Sequence, residues 1–243
     1  MRLDHYLVES GVYPTRNRAQ EAIKQGLILV NGKSIAKASY DISETDSVTH
    51  GDDTGYVSRS GNKLADALLH YPYDIHGKNV LDLGASTGGF TQVALLHGAA
   101  SVLAVDVGTL QLHQSLRTDP RVTSLENTDA RNLTAETINR HIDLLLMDVS
   151  FISGRKILSS IIPLLKAPFM AYVLIKPQFE VGLAHVGPNG IVKNPRDIDI
   201  MLDDYRVFLR SYGLRIHDLF PCGFKGKEGN TEYFVVFEKT QSV

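Results

Sequence analysis

Seven short apolar runs follow one another along the second part of the chain, and several of them end on a charged residue. Longer segments with apolar residues at helical spacing separate many of these runs, for example residues 153–166 and 195–212. Strands that alternate with helices predict an α/β fold with a doubly wound, mostly parallel sheet. The last two runs have no helix between them and predict an antiparallel hairpin at the edge. In order, the runs are 80–83, 101–106, 121–125, 143–148, 171–177, 214–219 and 232–237.

The first run leads into a glycine-rich turn, and the residues after Gly89 again have helical spacing. The turn lacks the second glycine of the dinucleotide fingerprint G-x-G-x-x-G, and Phe90 stands where a phosphate-binding P-loop needs its lysine. The remaining pattern, D-x-G-x-x-x-G-G-F-T, is similar to the S-adenosylmethionine loop of methyltransferases, although a generic tight turn is the alternative. The candidate cofactor contacts in this loop are Asp82, Gly84, Ala85, Ser86, Gly88, Gly89, Phe90 and Thr91.

Two further acidic residues follow the second and third runs. Asp106 lies about 20 residues after the glycine turn, where an acid can accept hydrogen bonds from both hydroxyls of a nucleoside ribose. Asp129 could accept a hydrogen bond from an adenine amino group, or it could be a solvated loop acid or a helix cap. Both residues are therefore candidate cofactor contacts.

Two lysines and two acids are the candidates for chemistry. Asp148 and Lys176 end the fourth and fifth runs, and ligands of a doubly wound sheet bind at the carboxyl ends of its strands. Lys63 precedes the sheet on a helix predicted from Ser58, and Glu232 opens the last run. We expect all four side chains, with Asp148 also near the cofactor, to converge at one edge. A surface position for Lys63 remains the alternative.

A ribose 2′-hydroxyl group is a poor nucleophile, and such a set of residues would suit its chemistry. The hydroxyl must lose its proton, or its oxyanion must be stabilised. A lysine acts as a base when burial or a nearby cation lowers its pKa. The two carboxylates would orient the lysines and limit the repulsion between them.

The first 48 residues predict a different small unit. Residues 3–10 and 15–25 favour two helices, the second begun by Thr15 and ended by Gly26, and residues 27–35 predict a hairpin with an Asn-Gly turn. Arg16 and Arg18 lie at a helix N-terminus, where positive charge is unfavourable for stability, so we expect them to have a use beyond folding.

With its L-I-L-V-N-G-K segment, this unit resembles the RNA-binding module of small-subunit ribosomal protein four. The resemblance implies that basic side chains contact the phosphates of folded RNA, whereas an ordinary solvated basic face is the alternative. The candidate RNA contacts are Arg2, Arg16, Arg18, Lys24, Lys33, Lys37 and Arg59.

The four charged residues and the glycine loop resemble the FtsJ-type family of RNA ribose 2′-O-methyltransferases from about residue 57 to 238. Together with the N-terminal unit and the segments 57–64 and 176–180, the whole chain resembles the TlyA group. The resemblance implies an RNA-binding domain at 1–48 and a Rossmann-like class I methyltransferase domain at 58–243. The polar, glycine-containing residues 49–57 predict a linker between the two domains. It implies Lys63, Asp148, Lys176 and Glu232 as a catalytic tetrad, S-adenosyl-L-methionine as cofactor, and a ribosomal RNA cytidine, of the large subunit, as target.

Composition excludes several other classes. The 243 residues carry a net charge of −2 and one cysteine, Cys222, which we expect to be packed in the interior. The nine histidines form no metal-binding spacing, so no protein-bound metal is expected. No apolar stretch approaches 18 residues and no signal peptide is present, so we expect a cytoplasmic protein. A monomer is favoured, and the resemblance implies ribosomal RNA or a ribosomal subunit as the partner.

Three rival functions stay open at this point. They are a non-catalytic RNA-binding or ribosome-assembly protein, a membrane-active haemolysin, and methylation of a base rather than a ribose. The sequence leaves open the target nucleotide, and whether naked RNA or an assembled subunit is recognised.

Overall fold

The computed structural model describes residues 1–10, 12–13, 15–24, 28–31, 33–43, 45–50, 56–226 and 228–241. The chain divides into two compact units, Met1–Tyr56 and Val57–Val243.

The N-terminal unit packs two helices, α1 (Leu3–Glu9) and α2 (Arg16–Lys24), with a small antiparallel sheet. The sheet has the order β2-β1-β3, and its strands are β1 (Ile28–Val30), β2 (Lys33–Ser34) and β3 (Val48–His50). Apolar residues at helical spacing form one core with the strands. The buried members of this core are Leu3, Leu7, Ala19, Ala22, Ile23, Ile28, Val30 and Ile42.

The two predicted helices and the hairpin are confirmed. Val30 pairs with Lys33, and Asn31 has a φ of 53°, the left-handed conformation that a two-residue hairpin turn requires. Gly26 and Gly32 lie outside the described residues. The predicted linker at 49–57 is wrong at its start, because residues 49 and 50 belong to β3, which pairs with β1. A three-residue edge strand has too few positions to display an alternating pattern.

The C-terminal unit contains a seven-stranded sheet of order β6-β5-β4-β7-β8-β10-β9. The first five strands in this order are parallel, and β10 is antiparallel to both of its neighbours. The predicted doubly wound sheet with a final antiparallel hairpin is therefore confirmed. The strands are β4 (Asn79–Leu83), β5 (Ser101–Val105), β6 (Val122–Leu125), β7 (Leu144–Met147), β8 (Phe169–Ile175), β9 (Arg215–Pro221) and β10 (Tyr233–Lys239).

Helices connect the strands of this sheet. The predicted helix at 153–166 is shorter as an α-helix and continues as a 3₁₀ turn, Ile162–Leu164, where Pro163 cannot donate a backbone hydrogen bond. Every residue of β7 and β8 is buried, which explains their continuous apolar runs. The helices are α3 (Arg59–His70), α4 (Gly89–Leu96), α5 (Gln114–Arg117), α6 (Ala135–Ile138), α7 (Gly154–Ile161) and α8 (Pro195–Ser211).

Candidate active site

Four charged side chains meet at the carboxyl edge of the sheet. Lys176 follows β8 and Asp148 follows β7, and the Nζ atom of Lys176 lies 2.6 Å from Oδ1 of Asp148. Lys63 on α3 reaches Glu232, with 2.6 Å between Nζ and Oε2. Because β10 runs antiparallel to β8 and pairs Tyr233 with Ile175, Glu232 and Lys176 lie at the same edge. The structure thus brings the two predicted lysines and the two predicted acids together.

All four side chains are largely withdrawn from solvent. The exposed fraction is 13% for Lys63, 3% for Glu232 and 11% for both Lys176 and Asp148. Burial lowers the pKa of Lys63, but the charges of Asp148 and Glu232 outweigh burial, so that the pKa is raised above its usual value. Lys63 is therefore an ammonium ion at neutral pH, and the requirement for a lowered pKa is not met at this lysine.

Ser150 is a member of this site that sequence reasoning missed. Its Oγ atom accepts a hydrogen bond of 2.8 Å from Nζ of Lys176. A serine two residues beyond a predicted strand end is too common to be informative. The next residue, Phe151, is also unusual, since 91% of its side chain is exposed and its φ is 65°. Its ring lies 5.3 Å from that of Phe179, measured between centroids.

The glycine turn brings two strand ends together. Gly84 has a φ of 80°, and a Cβ atom there would lie 2.6 Å from the carbonyl oxygen of Asp148. A side chain at this position would therefore push β4 away from the residue that follows β7. Within the same turn, the backbone N–H of Ser86 donates a 2.8 Å hydrogen bond to Oδ2 of Asp106. The turn is thus tied to the ends of both neighbouring strands.

Three of the predicted cofactor contacts point into the protein. Asp82 is fully buried and accepts a 2.6 Å hydrogen bond from the Thr91 hydroxyl group, which is also buried. Phe90 is buried and packs against Phe234, with 6.2 Å between ring centroids. These three side chains pack in the protein interior next to the turn, because the residues around a short connection between strand and helix must also cover the hydrophobic core. Contact between them and a cofactor remains a prediction.

The carboxyl group of Asp82 has an unusual environment. Burial raises its pKa to about 7, although the hydrogen bonds from Thr91 lower it, and the charges of Asp148 and Asp106 raise it further. Its Oδ1 atom is buried and has no hydrogen-bond partner among the described residues. Three acids therefore crowd the ends of β4, β5 and β7, and a cation bound there would relieve their mutual repulsion.

The remaining two acids end β5 and β6. Asp106 accepts backbone hydrogen bonds from Ser86 and from Gly108, at 2.8 and 2.7 Å. Asp129 caps the 3₁₀ turn Ala130–Asn132, and its carboxylate pairs with Arg131 at 2.5 Å. The cap that the sequence left open for Asp129 is confirmed, and its contact with an adenine stays a prediction.

Two of the predicted RNA contacts bind a buried carboxylate in the N-terminal unit. Asp4 is fully buried and accepts from Nε of Arg2 at 3.0 Å, from Nε of Arg16 at 2.9 Å and from Gln20 at 2.7 Å. The hydrogen bond from Arg2 above all holds the pKa of Asp4 well below its usual range, against the opposing effect of burial. Arg16 therefore also contributes to the folded structure, and its expected use beyond folding stays a prediction.

Five predicted RNA contacts remain, and the structure describes the side chains of four of them. The side chain of Arg18 lies outside the described part of the chain. The side chains of Lys24, Lys33, Lys37 and Arg59 are exposed.

Cys222 is buried, as predicted. The described residues include no group of three or more His, Cys, Asp or Glu side chains arranged to hold a metal ion. Among the same residues, no helix combines the length and the apolar character that crossing a membrane requires.

The strand order, the final antiparallel hairpin and the glycine turn define a Rossmann-like methyltransferase fold. The family model described as "FtsJ-like methyltransferase" matches residues 56–239, and the S4 domain model matches residues 1–48. The chain belongs to the FtsJ-like methyltransferase family and carries an N-terminal S4 domain.

Several relatives match nearly the whole chain. It is 39% identical to the Mycobacterium tuberculosis protein named 16S/23S rRNA (cytidine-2′-O)-methyltransferase TlyA, over 96% of this chain and 88% of that protein. It is 35% identical to the Campylobacter jejuni 23S rRNA (cytidine-2′-O)-methyltransferase TlyA, over 98% of this chain and 100% of that protein. A solved structure from Streptococcus thermophilus, of a protein that carries the name hemolysin, is 35% identical with a TM-score of 0.79 and covers 100% of this chain and 89% of its own.

Proposed function

We propose that this protein transfers a methyl group from S-adenosylmethionine to the ribose 2′-hydroxyl of a cytidine in ribosomal RNA, of the large subunit. The observation that carries the proposal is the pairing of Lys63 with Glu232 and of Lys176 with Asp148 at the strand ends. The two TlyA relatives, both named as rRNA cytidine-2′-O-methyltransferases, support the choice of substrate.

The residues at the strand ends fit S-adenosylmethionine. This molecule carries a positive sulfonium and an ammonium group, and the crowded carboxylates of Asp82, Asp106 and Asp148 suit a cation. Asp106 would hold the ribose, the turn from Gly84 to Ser86 would face the methionine portion, and Asp129 would meet the adenine amino group. When bound, the cofactor supplies a methyl group on a positively charged sulfur.

The protein's own side chains would prepare the nucleophile. Lys176, fixed between Asp148 and Ser150, is in position to take the proton of the 2′-hydroxyl group when its own side chain is the neutral amine. Lys63 remains charged and would stabilise the developing oxyanion, while Glu232 holds the ammonium group in place. Fixing these groups before the substrate arrives removes much of the entropic cost of reaction.

Features around the tetrad suit an RNA substrate. Phe151 follows Asp148 by three positions, and its exposed ring would allow a nucleobase to stack on it. The S4 domain would bind folded ribosomal RNA or a ribosomal subunit through its arginines and lysines. With this substrate the protein acts in the cytoplasm, and a monomer is sufficient because every tetrad residue comes from one chain.

Mapping of ribose methylation on ribosomal RNA tests the proposal. RNA from cells with the protein, without it, and with the Lys176→Ala variant is compared nucleotide by nucleotide. We expect a cytidine of the large subunit to lose its 2′-O-methyl group in the second and third cells. Identical methylation in all three would contradict the proposal.

A further inference from the structure

Two segments at the carboxyl edge of the sheet carry the Lys176–Asp148 pair. Residues 148–154 follow β7, and residues 176–180 follow β8. Lys176, at the start of the second segment, contacts Asp148 and Ser150 of the first segment. Further along both segments, Phe151 packs on Phe179. The two segments are joined a third time at their far ends, where Glu180 is the connecting residue.

Glu180 is a carboxylate surrounded by donors, with 2% of its side chain exposed. Its Oε2 atom accepts a 2.7 Å hydrogen bond from the Ser153 hydroxyl group. Its Oε1 atom accepts from the backbone N–H of Gly154 at 2.5 Å and from the Tyr205 hydroxyl group at 2.6 Å. Arg155 approaches Oε2 at 3.4 Å and balances the charge. The carboxylate thus ties the end of one segment to the start of α7 and to α8.

The surroundings of Glu180 are built for this contact. Burial raises the pKa of Tyr205 well above its usual value, and the charge of Glu180 adds to this effect, so the phenol stays a donor. A Cβ atom at residue 154 would lie 2.7 Å from the Tyr205 hydroxyl oxygen and 3.3 Å from Oε1 of Glu180. Glycine is therefore needed for the backbone to approach the carboxylate. The N-terminus of α7 also favours negative charge at this point.

We propose that Glu180 is a positioning residue for Lys176, a role that rests on the proposed function. Glu180 lies four positions after Lys176, with three residues between them, and the second segment leaves the sheet over this stretch. With its far end fixed to Ser153 and Gly154, this segment holds the Lys176 amine against Asp148. A carboxylate is required because three short hydrogen bonds converge on its two oxygens. Glutamine offers one oxygen, and its amide N–H groups would face other donors.

The test compares Glu180→Gln with Glu136→Gln, an exposed glutamate on α6. We expect kcat to fall about 10- to 100-fold in Glu180→Gln, since a small misplacement of a reacting group is costly. KM for the RNA substrate and the Kd for S-adenosylmethionine should stay within about threefold, because the residue contacts neither. The pH dependence of kcat should also shift, as the Lys176 amine moves relative to Asp148. Glu136→Gln should match the wild type in each measurement.

A second readout does not depend on activity. Labelling of Lys176 by an amine-reactive reagent, followed by mass spectrometry, should be faster in Glu180→Gln than in the wild type. If Glu180→Gln does not fold, Tyr205→Phe removes one donor and keeps the carboxylate, and it should produce the same changes on a smaller scale.

Unchanged kcat, pH profile and labelling in a folded variant would overturn the positioning role. A wild type that transfers no methyl group to ribosomal RNA would instead refute the proposed function, and the labelling comparison would then still decide whether Glu180 fixes Lys176.

Discussion

The Nζ atom of Lys63 lies 2.6 Å from Oε2 of Glu232, although 169 positions separate the two residues in the chain. The contact joins α3, which precedes the sheet, to the residue that opens β10. Since Asp148 and Glu232 together outweigh burial, the pKa of Lys63 is raised. We therefore assign Lys63 an electrostatic role and leave the proton transfer to Lys176.

Glu232→Gln should move the alkaline limit of activity. Removing this carboxylate takes away one of the charges that raise the pKa of Lys63, so the ammonium should lose its proton at lower pH. If charged Lys63 is required, kcat will decline at a lower pH than in the wild type. The measurement is kcat from about pH 7 to well above pH 10.5, because the raised pKa of Lys63 puts the wild-type alkaline limb above the ordinary lysine value of 10.5. Glu136→Gln is the control, and coincident alkaline limbs would refute the role of Lys63.

Asp82→Asn should change how stability depends on pH. The pKa of Asp82 is 3.8 as its ordinary value and about 7 in the folded protein. As pH rises, the unfolded chain therefore loses the Asp82 proton at lower pH than the folded protein does. Because only the folded state holds the proton between these two pKa values, the free energy of unfolding of the wild type falls as pH rises through this range. The variant should lack this fall. Its free energy of unfolding, taken relative to that of the wild type, should therefore be higher at pH 8 than at pH 4 by on the order of a few kcal/mol.

Denaturant unfolding at both pH values checks this prediction. Asp203→Asn, at a carboxylate that is 75% exposed, is the control and should leave the pH dependence nearly unchanged. Parallel pH profiles for wild type and Asp82→Asn would contradict the raised pKa.

Asp106→Asn should weaken binding of S-adenosylmethionine. The carboxylate already accepts from the backbone of Ser86 and Gly108, and an amide has too few acceptors left for ribose hydroxyls. We expect a loss of about 1–3 kcal/mol, which isothermal titration calorimetry can measure. Asp119→Asn is the control, because Asp119 pairs with Arg121 at the surface. Equal affinities for all three proteins would argue against a ribose contact.

Arg16→Ala combined with Arg18→Ala should weaken binding to ribosomal RNA. Each lost phosphate contact should also reduce the slope of affinity against salt concentration by about one. Because Arg16 also binds the buried Asp4, circular dichroism must establish that the unit remains folded. Arg206→Ala on α8 is the control. Unchanged affinity and slope in the folded double variant would mean that RNA binds through other residues.

The sheet and the strand ends were largely predictable, because fully buried parallel strands are continuous apolar runs. Asp148 and Lys176 terminate such runs, and a doubly wound sheet brings their ends to one edge. The antiparallel final hairpin also placed Glu232 at that edge, since a strand entering in the opposite direction begins where its neighbour ends.

The charge state of Lys63 could not be predicted, because it depends on two carboxylates that approach it only in the folded chain. The inward direction of Phe90 and Thr91 was equally hidden, since the glycine pattern describes the backbone and not which way its neighbours point. Ser150 and Glu180 were missed for a related reason. Their roles come from contacts between two loops, and neither residue type is unusual in a loop.

Transfer of labelled methyl groups to ribosomal RNA tests the central claim most directly. Wild type, Lys176→Ala and the control Lys156→Ala, an exposed lysine on α7, are incubated with S-adenosylmethionine and large subunits from cells lacking the protein. We predict that wild type and Lys156→Ala label a ribose 2′-oxygen, whereas Lys176→Ala is at least about 100-fold slower with nearly unchanged cofactor affinity. Undiminished ribose labelling by Lys176→Ala, or label found only on a base, would contradict the account.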